Sequence, residues 1–145
     1  MEIYTIGFTR KTAAEFFGVL ERAGIRRVID VRLNNTSQLA GFTKRDDLRY
    51  FLEAICGAAY QHEPLLSPTE EILNGFKKKT ISWEQYESCF RALLEERRVE
   101  ETVDRQWFMA PAALLCSEPT AEHCHRRLVA EYLAAKWGDV KVVHL

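Results

Sequence analysis

Two hydrophobic periods alternate along the chain. Ile3-Tyr4-Thr5-Ile6 is a short apolar run closed by Gly7, the pattern of a buried strand. Thr12-Ala13-Ala14-Glu15 then forms a capping box, whose hydroxyl and carboxylate can take the first orphan amides of a helix. Phe16, Leu20 and Ala23 follow at helical spacing, and Gly24 is placed to stop that helix. Arg27-Val28-Ile29-Asp30-Val31-Arg32 has an apolar centre and predicts a second strand. Strand, helix and strand in so short a stretch make a βαβ unit with parallel strands.

Residues 33–46 are polar and irregular, after which Leu48, Phe51, Leu52 and Ile55 mark a helix that ends near Gly57. Ala58-Ala59-Tyr60-Gln61-His62 predicts a third strand, closed by Pro64. Ser67-Pro68-Thr69-Glu70 reads as a second capping signature, with Pro in the first helical position, opening a short helix that Asn74-Gly75 ends. A third box at Ser82-Trp83-Glu84-Gln85 opens the longest helix, with Trp83, Tyr86, Phe90, Leu93 and Arg97 along one face. Its far end, Glu95 to Arg105, is charged and expected to be solvated. Ala112-Ala113-Leu114-Leu115-Cys116 predicts a fourth, fully buried strand. Pro119 and Thr120 are expected to introduce the last helix, with Leu128, Tyr132 and Ala135 inward and Gly138 as its stop; Val140-Lys141-Val142-Val143 closes the chain as a fifth strand.

This alternation predicts a single α/β domain over residues 1–145: a mostly parallel five-stranded sheet with helices on both faces, three layers in a Rossmann-like topology. In such sheets ligands bind outside the carboxyl ends of the strands. Those ends carry Gly7, Asp30 and Arg32, His62, then Cys116 and Glu118.

Composition narrows the class. At 145 residues the chain can bury a conventional core without staples. Twenty basic and 21 acidic residues leave a net charge of -1, which removes the blanket basic field of a protein held on nucleic acid by electrostatics. No run of apolar residues is long enough to span a membrane, and the first residues carry no basic-then-apolar signal. Cysteines at 56, 89, 116 and 124 therefore read as thiols of a cytoplasmic protein rather than a disulfide framework.

The densest chemistry lies between Cys116 and Arg126, where Glu118, Glu122, His123, Cys124 and His125 crowd a strand-to-helix passage. Unpaired amides of a first helical turn stabilise thiolates and anions. Cys116 can thus be an activated thiol with His125 or His123 as base and Arg126 as anion ligand, against the plainer reading of a small buried residue ending a strand. A zinc site is not expected, because seven residues separate the cysteines and adjacent helical side chains at 124 and 125 would point about 100° apart. A redox pair of Cys116 and Cys124 stays open. Asp30 and Arg32 fall on one side of a strand, as an ion pair or as two site ligands. A Gly-rich dinucleotide loop, a P-loop and a nucleophile elbow are missing, so no cofactor is implied. The basic doublets and Lys77-Lys78-Lys79 read as solvated faces. Trp83, Tyr86 and Phe90 read as core, as do Cys56 and Cys89.

Thr5-Ile6-Gly7, Asp30-Val31-Arg32, Ser37 with Phe42, Tyr60, His62 and Pro64 form one ordered set with Leu114-Leu115-Cys116-x-Glu118, Cys124-His125-Arg126 and His144-Leu145. In this set the chain resembles the domain-of-unknown-function 488 family from residue 3 to 145. The resemblance implies a small cytoplasmic α/β protein and no particular activity. Phe8, Asn35, Gln38 and Ser67 depart from its usual His, Pro, Arg and Gly.

The residues support two functions. The first is an enzyme-like cleft for an anionic, phosphate- or nucleotide-like small molecule, with group transfer or hydrolysis at Cys116. There Glu118 or His125 carries the proton, Asp30 orients Arg or base, and Arg32, Ser37, His62, Arg126 and Gly7 bind the ligand. The second is a non-catalytic module that binds nucleic acid or protein, with structural cysteines. Oligomeric state is not legible.

Overall fold

The computed structural model describes residues 1–118 and 120–145. Its strands are β1 (Glu2–Gly7), β2 (Arg27–Asp30), β3 (Ala59–His62), β4 (Ala112–Cys116) and β5 (Lys141–His144). They pair in the order β3-β2-β4-β1-β5, every pairing parallel. β4 sits at the centre and is buried along its whole length. A strand covered on both faces has no use for polar alternation, which explains the unbroken Ala-Ala-Leu-Leu-Cys.

Alternation along the strands sorts two cores. Ile3, Ile29, Leu114 and Cys116 face one layer of helices, made by α3 (Glu70–Lys77), α4 (Trp83–Arg97), α5 (Val99–Thr102) and α6 (His125–Trp137). Ile6, Val28, Ala113 and Leu115 face the other, which holds Phe16, Phe17 and Leu20 of α1 (Ala13–Arg22), Leu48 of α2 (Arg45–Phe51) and Leu52 of the π-helical turn that follows. The expected three-layer α/β arrangement is therefore present. No helix among the described residues is long and apolar enough to cross a membrane.

Local signals held wherever the hydrogen bonds are local. Thr12 caps α1 with a complete box to Glu15, and Ser82 caps α4 with a complete box to Gln85. Thr12→Ala is expected to cost about 1 kcal/mol of stability in urea melts, the usual worth of such a cap.

Five expectations are corrected. Ser67 is not a cap: Thr69 caps α3 through the Ile72 amide, and the buried Ser67 hydroxyl donates to the Val31 carbonyl at 3.0 Å. A buried carbonyl beyond the end of β2 needs a donor, and that need outweighs a local capping preference. Next, α3 runs past Asn74-Gly75 to Lys77, and the Gly75 carbonyl takes the Thr80 and Ile81 amides. The charged stretch 95–105 is not uniformly solvated either. Arg98 turns into the left-handed region, and α5 brings Val99 and then Val103 into the core. Finally, α6 starts at His125, with Cys124 as its extended cap, rather than near Thr120; Pro119 lies outside the described residues. Arg126 accordingly belongs to the first helical turn. Cys89 is exposed rather than a packing residue.

Candidate functional site

Because all strands run the same way, their carboxyl ends share one edge, with Gly7 directly beside Cys116 and Asp30 beside both Leu115 and His62. A cavity of about 440 Å³ opens over that edge, between β4, α3, α4 and the start of α6. Arg32, Cys116, Glu118 and His125 line it. So do Cys124, His123, Phe76, Trp83, Tyr86, Lys77 and Lys79.

Cys116 ends β4 with its thiol toward α6, whose first residue is His125. The two meet at 3.5 Å, Sγ to Nδ1, and both side chains are buried. The other ring nitrogen of His125 lies 2.6 Å from the Val31 carbonyl. A carbonyl can only accept, so Nε2 carries the hydrogen; the sulfur lies 3.8 Å from Nε2 and nearer to Nδ1, which is left as the acceptor. Phe90 packs edge-on against the imidazole and holds its plane. This is a thiol, a base and an orienting group in the usual nucleophile arrangement.

The surroundings make the Cys116 thiol more acidic than an ordinary cysteine. Hydrogen bonding from the Cys124 thiol is the largest influence and pulls the Cys116 thiol below its ordinary value; burial opposes it, and the Ser117 amide, the Arg126 charge and the Glu118 amide add to it. Cys124 moves the other way, pushed well up by burial and then by Cys116 itself.

Arg126 supplies the matching charge. Its side chain is 1% exposed, one Nη donates to the Glu118 carbonyl at 2.8 Å and to Cys124 Sγ at 3.3 Å, and Nε has no partner among the described residues. Neither Asp30 nor Glu118 pairs with it through a carboxylate. A buried guanidinium with no carboxylate partner among the described residues needs another anion nearby, and the Cys116 sulfur is the group at hand. Arg126 stands behind the cavity wall rather than on it. Gly7 is part of the same construction. A Cβ placed there would meet the Glu118 carbonyl oxygen at 1.6 Å and an Arg126 nitrogen at 2.9 Å. The bare Cα lets the loop after Cys116 close down onto β1, and Thr9 then binds the Ser117 carbonyl.

Asp30 and Arg32 form a buried fork. Arg32 Nε and Nη2 donate to the two Asp30 oxygens, both at 2.8 Å, and Nη2 also reaches the Thr43 carbonyl at 2.7 Å. Tyr60 donates its hydroxyl to Asp30 at 2.6 Å, and Asn35 adds its amide at 3.3 Å. Burial pushes the Asp30 carboxyl up, but Arg32, by hydrogen bond and charge, and Tyr60 outweigh it and hold it below its ordinary value. The fork reads as scaffold: Asp30 orients Arg32, whose donors are spent inside the protein.

His62 and Ser37 fall outside the cavity. His62 donates to the Arg32 carbonyl at 3.0 Å, and exposed Ser37 takes the Leu39 amide. Of the residues expected in the cleft, Arg32, Cys116, Glu118 and His125 line the cavity, while Gly7, Asp30, Ser37, His62 and Arg126 do not.

Several groups are visible only in the fold. Tyr86 points into the cavity, its phenol held well above the ordinary value by burial and then by the charges of Cys116, Cys124 and Glu118, so it offers a donor beside the sulfur. Trp83 stacks on both Tyr86 and His123, with each ring centroid 5.0 Å away. Helical spacing had placed Trp83 and Tyr86 on one face; nothing in the spacing said that the face meets Cys116. The Val31 carbonyl has no sequence signature at all.

The description "domain of unknown function DUF488" belongs to a family model that matches residues 12–133 of the 145, and the chain belongs to that family. No curated protein and no solved structure matches it.

Proposed function

We propose that this family member is a thiol-dependent group-transfer or hydrolytic enzyme acting on an anionic, phosphate- or nucleotide-like small molecule. The observation that carries the reading is the buried contact of Cys116 Sγ with His125 Nδ1 while Val31 fixes the other nitrogen. Cys116 attacks the electrophilic centre, forming a bond to sulfur as the leaving group departs. His125 takes the thiol proton and returns it to the leaving group; a water or acceptor then attacks the sulfur-bound group and gives its proton to His125, the bond to sulfur breaks, and His125 returns that proton to the Cys116 thiolate. Glu118, at the cavity mouth, is the second proton carrier.

Supporting roles follow from position. Cys124, the amides of Ser117 and Glu118, and Arg126 hold negative charge on Cys116. Lys77 and Lys79 supply the cations of the cavity, since Arg32 is spent on Asp30 and Thr43. Phe76, Trp83 and Tyr86 give an apolar wall for the body of the substrate.

The test uses reduced full-length protein in a chelator, labelled with iodoacetate or iodoacetamide and read by peptide mass spectrometry. Cys116 is expected to react faster than the exposed Cys89, with a preference for the anionic reagent that Cys89 lacks. His125→Ala should slow Cys116 by about 100-fold, the lower end of general-base effects. Labelling of Cys116 no faster than Cys89, or indifferent to the loss of His125, would sink the enzyme and leave the binding-module reading.

A further inference from the structure

Side chains at 124 and 125 would diverge only if both residues were helical, and they are not. Cys124 is an extended cap, with φ −137° and ψ 137°, and only His125 begins the helix. The chain therefore hooks back at Cys124. One donor atom from each of Cys116, Cys124 and His125 lies within 4.8 Å of the other two.

We infer that Cys116, Cys124 and His125 are a three-ligand site for a soft divalent cation of the zinc class, its fourth position open to the cavity. Two sulfurs and an imidazole, with no carboxylate in the cluster, select zinc-like ions over magnesium or calcium. The surroundings have the form that metal sites require. The Val31 carbonyl takes Nε2–H of His125, which leaves Nδ1 as the ligating nitrogen and fixes the ring. Arg126 donates to Cys124 Sγ, a second bond of the outer kind. All three ligands line the cavity, so an ion has an entry path and a place for water or an anion as fourth ligand. Each protonated thiol releases its proton as its sulfur binds, and the two thiolates neutralise the dication. The charge of Arg126 then favours an anionic fourth ligand.

This inference rests on the same three side chains as the proposed enzyme but is independent of it. Zinc ligation occupies the sulfur lone pair that Cys116 needs as a nucleophile, so the metal-bound protein is the silent state and the metal-free protein the reactive one.

Cobalt alone is the probe. Reduced, chelator-stripped full-length protein is titrated with Co²⁺ and then with Zn²⁺. One Co²⁺ per chain is expected, with a thiolate-to-cobalt charge-transfer band and the intense visible bands of a tetrahedral ion, all erased by one equivalent of Zn²⁺. Cys124→Ser should weaken binding by at least the roughly 100-fold that loss of an outer-shell partner can cost. Cys89→Ser should leave it unchanged. Binding that is not one per chain, a spectrum without the charge-transfer band, or affinity indifferent to both Cys116→Ser and Cys124→Ser overturns the site; the wild-type spectrum decides even if a variant fails to fold. The two readings fail separately. Fast Cys116 alkylation without cobalt binding overturns the metal site alone. A tight cobalt site in a chain whose stripped Cys116 stays inert supports the metal site and removes the enzyme.

Discussion

Asp30→Ala is expected to lower stability by about 3–5 kcal/mol, the cost of stranding one partner of a buried ion pair. Asp30 is fully buried and Arg32 is 2% exposed. Without the carboxylate, the guanidinium keeps, among the described residues, Thr43 and the face of Phe8, 5.4 Å from the ring centre. Tyr60 and Asn35 lose an acceptor as well. Urea melts measure the effect, and a loss under about 1 kcal/mol would place the pair among the weak surface bridges instead. Removing both partners, as Asp30→Leu with Arg32→Met, should cost much less than either single change, because no buried charge is left behind. The pH dependence has a definite sign. The folded carboxyl sits below its ordinary value, so its contribution is complete above about 3.9, the unfolded aspartate value, and is lost as pH falls through the folded value. Asp30→Asn should therefore flatten the acid limb of the stability curve.

Gly7→Ala should have the second-largest effect and a different character. The new methyl would need the space of the Glu118 carbonyl, and backbone cannot yield as a flexible side chain would. Overpacking of this kind costs about 1–3 kcal/mol. The larger consequence falls on chemistry. Displacing Glu118 disturbs the amides that face Cys116 and the carbonyl that anchors Arg126, so alkylation of Cys116 should slow while circular dichroism still reports a folded chain. Gly24→Ala is the control. It sits at φ +69° with open space around it, so it should cost about 1 kcal/mol and leave the thiol unchanged. Equal labelling rates in Gly7→Ala and wild type would remove Gly7 from the positioning of the site.

Much of this protein was decided by short-range physics and could be read directly. The run from Ala112 to Cys116 is apolar throughout because its strand is covered on both faces. Thr12 with Glu15, and Ser82 with Gln85, satisfy orphan amides three residues away, so their helices begin where the letters say. Parallel pairing then follows from alternation, and with it the gathering of Gly7, Asp30 and Cys116 on one edge. Partners distant in sequence decided the rest. Ser67 carries the letters of a cap, yet it serves a carbonyl 36 residues away. Asp30 and Arg32 could have faced a ligand, and Thr43, Asn35 and Tyr60 closed around them instead. Cys124 and His125 looked divergent on an assumed helix, but the helix starts one residue later than that assumption needs, and their donors converge on Cys116. Periodicity and capping report hydrogen bonds that a chain makes with itself a few residues away. Which buried donor meets which buried acceptor is settled only when packing brings remote segments together, and the candidate site is made of such meetings.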